Sequence, residues 1–338
     1  MSAPLLEVSG LTVRHRRDLI VDGVDLTLAR GEALGLAGES GCGKSTTALS
    51  LMRLLPAALE QEGTIALHPP DGGDTINIDR RTERGMQLVR WRHVSLVFQG
   101  AMNSLDPVKR VGTQIASAIR LHEPKAKPAD VAARIAELLG TVGLPARVER
   151  SYAHQLSGGQ RQRVMIALAL ACRPSLVIAD EPTTALDVVM QAQILELLER
   201  LRAELGLALI LISHDLSVLA ETCDRIAVMY AGRIVETGPV DAVFRAPQHP
   251  YTKRLLDSFP VIGGSRELAT PIPGGPPDPA EAPSGCSFRP RCPYAAELCE
   301  ETPALREVAP AQSAACHFAP WERWPEPVAV AEEPGRPR

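Results

Sequence analysis

The sequence predicts an α/β fold in which a mostly parallel sheet is covered by helices. Residues 1–240 alternate short apolar strands with amphipathic helices, which is the pattern of such sheets. The 338 residues, 45% hydrophobic and 22% charged, suffice for one large domain plus an appendage. The composition changes near the end, where 15 of the 29 prolines lie between Pro271 and Pro337.

Six apolar segments have the length and composition of strands, and two segments carry apolar residues at helical spacing. The strand-like segments are LLEVSGLTV, EALGLAG, VSLVFQ, SLVIAD, ALILIS and RIAVMY. The helical segments are DVAARIAELLG and MQAQILELLERLRAEL. The later segment ELATPIPGGPPDPAEAPSG is typical of an irregular linker.

Composition and charge exclude several classes of protein. The longest apolar runs, VMIALALAC and LALILI, are far shorter than the roughly 20 residues of a membrane-spanning helix. The start, MSAPLLEVSG, lacks a signal-peptide pattern. A net charge of −4 gives no reason to expect nucleic acid as a partner. We therefore expect a cytoplasmic protein that reaches the membrane only through partner proteins.

A phosphate-binding loop is predicted at GLAGESGCGKST, where a strand leads into the pattern G-x-x-x-x-G-K-S and then a helix. Glycines let backbone N–H groups face a phosphate, Lys44 supplies charge for the β and γ phosphates, and Ser45 offers its hydroxyl to Mg²⁺. A plain glycine-rich turn is the alternative. The predicted nucleotide-binding residues are Gly38, Glu39, Ser40, Gly41, Cys42, Gly43, Lys44, Ser45 and Thr46.

Two adjacent carboxylates, Asp180 and Glu181, follow the apolar strand of SLVIADEP. They are expected at the carboxyl edge of the sheet, where the phosphate loop also lies. Asp180 can then hold Mg²⁺, and Glu181 can orient and deprotonate the attacking water. Taken alone, the two acids could also be solvated or cap the next helix.

The segment LSGGQRQR removes that ambiguity because it completes an ordered set of six motifs. With it, the chain resembles the nucleotide-binding subunits of ABC transporters. The six motifs are the Walker A loop at Gly38–Ser45, the Q-loop at Gln99, the signature LSGGQ, Walker B in LVIADEP, the D-loop at Ala185–Asp187 and the switch histidine His214.

The resemblance implies a P-loop NTPase domain of RecA type over residues 1–240. It also implies an antiparallel β subdomain, a helical subdomain at about residues 100–160, and an irregular, cysteine-containing extension over residues 241–338. The helical subdomain would dock on membrane permeases, with Gln99 at its hinge.

The resemblance also implies roles for individual residues. Glu181 is the expected base, His214 would contact the γ phosphate, Gln99 would ligate Mg²⁺, and Asp187 would communicate across a dimer. His15 stands where the family usually stacks an aromatic ring on adenine. The signature residues would complete the ATP site of a second subunit, because they open a helix and offer backbone donors. These are Ser157, Gly158, Gly159 and Gln160.

A closer resemblance, to one group of ABC transporters, indicates the class of transported substrate. The segments FQGAMNSLDPVKRVGTQI, APQHPYTKRLLDSFP and GCSFRPRCPYAAELC are similar to the ATPases of dipeptide and oligopeptide importers. The resemblance implies ATP hydrolysis that powers peptide import at the cytoplasmic face of the membrane, with nickel or oligosaccharide import as alternatives. The implied partners are a second ABC ATPase, identical or related, two permeases and, indirectly, an external binding protein.

Two further classes of function are disfavoured. A non-transport ABC ATPase would be expected to carry two cassettes or a long coiled-coil insertion, and this chain has neither. A nucleoside kinase that shares the phosphate loop would not need the LSGGQ segment.

Four of the seven cysteines, Cys286, Cys292, Cys299 and Cys316, lie near the end of the chain. In a reducing compartment such a cluster favours a metal over disulfides. Their gaps of five, six and sixteen residues differ from the tight pairs of zinc sites. Because the family's extension is associated with a [4Fe-4S] cluster in some members, we predict that cluster here. Zinc and metal-free thiols are the alternatives, and His317 is a further candidate ligand.

Overall fold

Two β-sheets and nine α-helices are present among the described residues, which are 4–100, 104–258, 272–278, 283–322 and 324 of the computed structural model. Residues 267–271 and 279–282 of the predicted linker and part of the segment FQGAMNSL lie outside these ranges. Within them, no helix is both long and apolar enough to cross a membrane.

The central sheet has eight strands, and its middle is parallel. In space the strands run β11-β12-β10-β9-β3-β8-β7-β6, with β9, β3, β8, β7 and β6 parallel to one another. Strands β3, β7 and β8 are buried at every position, which explains why their sequences are continuous apolar runs. The strands are β3 (Ala33–Ala37), β6 (Val94–Val97), β7 (Leu176–Asp180), β8 (Ala208–Ile212), β9 (Arg225–Tyr230), β10 (Arg233–Pro239), β11 (Arg306–Ala309) and β12 (Gln312–Ala314).

A second, antiparallel sheet has the strand order β2-β1-β4-β5. The predicted strand LLEVSGLTV lies here, in β1, and not in the parallel sheet. Buried and exposed positions alternate along the second half of β2, because one face of this sheet packs on the core. The strands are β1 (Pro4–His15), β2 (Asp18–Ala29), β4 (Leu59–Leu67) and β5 (Ile76–Asn77).

The nine α-helices of the described ranges lie around the two sheets, and both predicted helical segments are confirmed, in α4 and α6. Helices α3 and α4 follow the Q-loop and bury their apolar faces in the same core as the parallel strands. The helices are α1 (Lys44–Leu51), α2 (Glu83–Gln87), α3 (Val111–His122), α4 (Pro128–Thr141), α5 (Gly158–Ala169), α6 (Val188–Leu205), α7 (Leu216–Thr222), α8 (Val240–Arg245) and α9 (Pro250–Asp257).

The segment after residue 240 is less irregular than the sequence predicts. It contributes α9 and the hairpin β11–β12, and β12 pairs with β10 of the central sheet. The buried carboxylate of Glu236 holds this junction together. It accepts hydrogen bonds from the backbone N–H groups of Gln248 and His249 and from Nε2 of Gln312, at 2.7 to 2.9 Å. The sheet is therefore continuous across the predicted boundary at 240.

Candidate nucleotide-hydrolysis site

The phosphate loop follows β3 and packs closely against the backbones of β9 and β2. Gly38 has φ 146°, and a Cβ there would lie 2.3 Å from the carbonyl oxygen of Met229. Gly43 has φ 104°, and a Cβ there would lie 2.8 Å from the carbonyl oxygen of Ile20. No side chain fits at either position, so the glycine pattern of the motif follows from close backbone contact as well as from φ.

Helix α1 begins directly after this loop, with Gly43 as its N-cap and no side-chain capping hydrogen bond. Its first N–H groups are thus free to bind an anion. The Nζ of Lys44 is buried and donates to the carbonyl oxygens of Gly38 and Glu39, at 2.7 and 2.8 Å. Burial raises the pKa of the Cys42 thiol despite nearby Lys44, so Cys42 is a neutral packing residue of the loop.

Asp180 ends β7 as a buried carboxylate, 6% exposed. Burial raises its pKa, with a contribution from the charge of Glu181, while the hydroxyl of Ser45 and the charge of Lys44 act in the opposite direction. Its Oδ1 has no hydrogen-bond partner among the described residues. A buried carboxylate oxygen without a partner, next to a hydroxyl, fits a Mg²⁺ ligand, because the cation would satisfy it.

Glu181 lies at the centre of a hydrogen-bonded group at the same sheet edge. Its Oε2 accepts from Nε2 of Gln99 and from Oγ1 of Thr184, both at 2.9 Å. Its Oε1 lies 3.3 Å from Nδ1 of His214. Burial alone would raise the pKa of Glu181, but the hydrogen bonds from Thr184, His214 and Gln99 outweigh it and lower the pKa. The carboxylate is therefore ionised and able to accept a proton.

The backbone of Glu181 adopts φ 47°, a left-handed conformation that is uncommon outside glycine. Its N–H donates to the carbonyl of Ile212 at 2.9 Å, which ties it to the end of β8. This fixes the direction of the side chain toward Gln99 and His214.

Thr184 is a site residue that the sequence analysis missed. Its hydroxyl reaches Glu181 because residues 181–184 form a turn, in which the N–H of Thr184 donates to the carbonyl of Glu181 at 3.2 Å. A hydroxyl residue three positions after a candidate base, in a loop, is the signal that would have found it.

The signature residues open a helix, as predicted. Ser157 is the N-cap of α5, and its hydroxyl and Gln160 form a capping box, with hydrogen bonds of 3.3 and 3.0 Å. Gly158 and Gly159 are the first helical residues. In the described part of the chain, these side chains make no hydrogen bond to the phosphate loop.

Asp187 caps the helix that follows the D-loop. Its Oδ1 accepts from the N–H of Met190 at 2.9 Å at the start of α6. The structure therefore gives Asp187 a local role within its own chain, and communication across a dimer stays a prediction.

His15 ends β1 and pairs with Asp18 across a tight turn. The following strand brings the carbonyl of Ile20 against Gly43, so this hairpin lies beside the phosphate loop. A role of His15 in stacking on adenine stays a prediction.

The four predicted cluster cysteines line one small cavity, together with Phe288, Tyr294, Phe318, His249 and His317. All four thiols are free. Burial raises the pKa of Cys286 and Cys316 and raises that of Cys292 to about 12. Across the described ranges, no three His, Cys, Asp or Glu side chains form a group that could hold a metal ion.

A close backbone contact brings the cysteine segments together. The N–H of Cys286 donates to the carbonyl of Cys299 at 2.9 Å. Gly285 has φ 78°, and a Cβ there would lie 2.4 Å from the carbonyl oxygen of Glu300. Gly285 thus allows its segment to pack directly against the short 3-10 helix Glu297–Glu300.

Comparison with known proteins identifies the family. The profile of the ABC transporter family matches residues 21–184, and that of the "Oligopeptide/dipeptide transporter, C-terminal region" matches residues 235–299. A peptide import ATP-binding protein of Brucella ovis is 45% identical over 310 residues, covering 88% of this chain and 91% of that protein. The chain belongs to the ABC transporter ATPases. The group around Glu181 and the phosphate loop are therefore the candidate ATPase site of this family member.

Further relatives agree with this assignment. A peptide ABC transporter ATP-binding protein of Sinorhizobium fredii is 47% identical over 302 residues, covering 87% of this ABC ATPase and 88% of that protein. A dimeric ATP-binding cassette bound to ADP and Pi superimposes with a TM-score of 0.60 at 26% identity, covering 70% of this chain and 98% of that one. The subunit cbiO1 from Clostridium perfringens gives a TM-score of 0.61 at 28% identity, covering 72% and 91%.

Proposed function

We propose that this ABC ATPase powers the import of di- or oligopeptides through partner permeases, and that Glu181 is its general base. The observation that carries the catalytic part is the hydrogen-bonded group of Gln99, Thr184, Glu181 and His214 beside the phosphate loop. The substrate class rests on the relatives named for peptide import and on the matching C-terminal region.

Different residues of the chain bind the phosphates, hold the metal ion and accept the proton. The N–H groups at the start of α1 bind the phosphates, and Lys44 exchanges its contacts with loop carbonyls for phosphate oxygens. Ser45, Asp180 and Gln99 would hold Mg²⁺, which neutralises charge on the phosphates. Glu181 then accepts a proton from the attacking water, and His214 lies at the same edge to contact the γ phosphate.

The working unit is a head-to-tail pair of ATPase subunits. Support comes from α5, whose first helical residues, Gly158 and Gly159, have no side chains to block an anion, and whose N-terminal turn makes no hydrogen bond to the phosphate loop within the described residues. In such a pair the signature residues of one subunit bind the γ phosphate held by the other, and Asp187 lies near the shared site. Mixing Ser157→Arg and Lys44→Ala proteins tests self-pairing: restored ATPase activity supports a pair of identical subunits.

The partners outside the ATPase pair are two permeases and, indirectly, an external peptide-binding protein. The chain would work at the cytoplasmic face of the membrane, bound to the permeases through the helices that follow Gln99. Co-expression with its partner permeases, in membrane vesicles, tests the substrate class. ATP-dependent peptide uptake that disappears with Glu181→Gln supports the proposal, and stimulation by nickel or an oligosaccharide in place of peptide would contradict it.

We also propose that the four-cysteine cavity holds a [4Fe-4S] cluster. The donor set fits in number and chemistry, because four free thiols line one cavity whose other lining side chains are mainly aromatic. Among the described residues no three such side chains form a group that could hold a metal ion, so the proposal rests on the four thiols of the cavity and their number. When bound, the cluster would stabilise the extension by linking Cys286, Cys292, Cys299 and Cys316.

Anaerobic purification followed by iron and sulfide analysis tests this cluster. The expected result is about four irons per chain and a visible absorption band. The Cys292→Ser substitution should lower both the iron content and the absorption. Cys172→Ser is the matched control, because Cys172 lies outside the cavity and its thiol donates to the carbonyl of Ala118. A colourless protein with stoichiometric zinc would contradict the proposal.

A further inference from the structure

An ion pair joins the phosphate loop to the cysteine-containing extension across 252 positions of sequence. The guanidinium of Arg291 donates from Nη1 and Nη2 to both carboxylate oxygens of Glu39, at 2.7 and 2.9 Å. Glu39 is the second residue of the phosphate loop, and Arg291 immediately precedes Cys292. Two parallel hydrogen bonds between charged groups form the strongest and most directional kind of side-chain contact.

Arg291 is held rigidly, so the pair is not a mobile surface contact. The residue is only 6% exposed. Its Nε donates to the carbonyl of Pro273 at 2.8 Å, Nη2 to that of Gly274 at 3.2 Å, and Nη1 lies 3.3 Å from the hydroxyl of Tyr230. Its guanidinium also lies 5.7 Å from the ring centroid of Tyr230. These hydrogen bonds hold the Arg291 side chain in one conformation.

Glu39 is fixed at three points, and two of them come from beyond residue 240. Its carboxylate pairs with Arg291, and its N–H donates to the hydroxyl of Tyr251 on α9 at 2.9 Å. Its carbonyl accepts from Nζ of Lys44 at 2.8 Å. Any shift of Arg291 or Tyr251 therefore displaces the backbone segment that also positions Lys44.

We propose that Arg291 is a positioning residue for ATP binding, which holds the phosphate loop in its binding conformation through Glu39. The extension is then part of the nucleotide site of its own chain, and not only an appendage that folds separately. Because the phosphate loop is already ordered before ATP binds, binding loses less conformational entropy. Loss of the ion pair between Arg291 and Glu39 should therefore weaken nucleotide binding. This inference rests on the proposed ATPase function, because its readout is nucleotide affinity.

A double-mutant cycle of Arg291→Gln, Glu39→Gln and the double variant tests the proposal. Each single change should raise the dissociation constant for ADP and the KM for ATP on the order of tenfold, with kcat within about twofold. The double variant should resemble the singles, because both remove the same contact. Arg291→Lys, which keeps the charge but not the two parallel hydrogen bonds, should rescue only part of the affinity.

Arg289→Gln is the matched control. Arg289 lies in the same short turn and pairs with Glu300 at 3.3 Å, away from the phosphate loop. If Arg291 only anchors the extension, Arg291→Gln and Arg289→Gln should both lower thermal stability and leave ATP affinity unchanged. That result would overturn the proposal.

Two measurements keep the outcome interpretable. If Arg291→Gln fails to fold, Glu39→Gln decides the question, because it keeps the shape of the side chain and the native Arg291. Unchanged ADP affinity in a folded Glu39→Gln protein overturns the inference. If the wild-type protein itself neither binds nor hydrolyses ATP, the proposed function fails instead.

Discussion

The side chain of Gln99 donates a hydrogen bond of 2.9 Å to Oε2 of Glu181, although 82 positions separate the two residues. Gln99 follows β6 and precedes the helices that lead to the signature, whereas Glu181 follows β7. The contact therefore joins the candidate base to the start of the helical segment. A shift of Gln99 toward a bound Mg²⁺ would remove one of the two hydrogen bonds to Oε2 of Glu181 and move the beginning of that segment at the same time.

Replacing Thr184 by Val should shift the acidic limb of the pH–rate profile to higher pH. The hydroxyl of Thr184 stabilises the ionised form of Glu181, so its loss raises the pKa of that carboxyl. The base is then protonated, and inactive, over a wider range of low pH. Steady-state kcat measured as a function of pH checks this. Thr183→Val is the control, and equal profiles for the two variants would contradict the account.

Asp180→Asn should raise the Mg²⁺ concentration needed for half-maximal activity by about 10–100-fold. The amide keeps the shape of the side chain but removes the charge of an otherwise unpartnered buried oxygen. Metal-free nucleotide binding should change little, because Lys44 and the loop N–H groups are untouched. Activity titrated with Mg²⁺ gives the answer. An unchanged Mg²⁺ requirement would remove Asp180 from the metal site.

Gly38→Ala should lower nucleotide affinity by more than about tenfold and destabilise the fold by about 1–3 kcal/mol. The new Cβ would lie 2.3 Å from the carbonyl oxygen of Met229, and φ 146° is unfavourable for alanine. Calorimetric ADP titration and thermal unfolding measure both effects. Gly140→Ala is the control, because it adds a methyl group on α4 with no atom within 4 Å. Normal ADP binding by the Gly38 variant would contradict the loop geometry described above.

His249→Asn should make the stability of the protein less sensitive to acid. Burial lowers the pKa of His249 to about 3, so between about pH 6.5 and 3 the unfolded chain binds a proton that the folded chain does not. Stability contributed by the neutral ring is lost as the pH falls through this window, by up to about 1.4 kcal/mol per pH unit.

The asparagine keeps an acceptor for the N–H of Tyr251 at the start of α9 but cannot titrate. Urea unfolding at several pH values measures how the free energy of unfolding of each protein depends on pH. The nearby buried Glu236 is present in both, so it cancels in the comparison. Parallel slopes would show that His249 does not titrate in this way.

The parallel strands and the ATPase motifs could be predicted from sequence because each is encoded within a few consecutive residues. Strands buried on both faces appear as apolar runs, as at β7 and β8. The strands β2 and β4 were missed, because half-exposed positions interrupt their apolar pattern. The extension's strands β11 and β12 are short and partly exposed, and so carry an even weaker signal.

The contacts that organise the site were harder to predict than its motifs. Thr184 reaches Glu181 through a turn, and a hydroxyl residue three positions after the candidate base is the only sequence signal of that contact. The pair of Glu39 and Arg291 joins residues 252 positions apart, and neither sequence segment indicates the other. The four cysteines were grouped by their proximity in sequence, and all four line one cavity, although among the described residues no three of them form a group that could hold a metal ion. Their metal content depends on chemistry that residue spacing does not determine.

The most direct test of the central claim is ATP turnover by Glu181→Gln protein. The amide keeps the shape of the side chain but cannot accept a proton, so kcat should fall by about 10²–10⁴-fold while ATP still binds with near wild-type affinity. Turnover and calorimetric ATP binding are measured on the same preparation. Hydrolysis at the wild-type rate by a folded Glu181→Gln protein would contradict the assignment of Glu181 as the base.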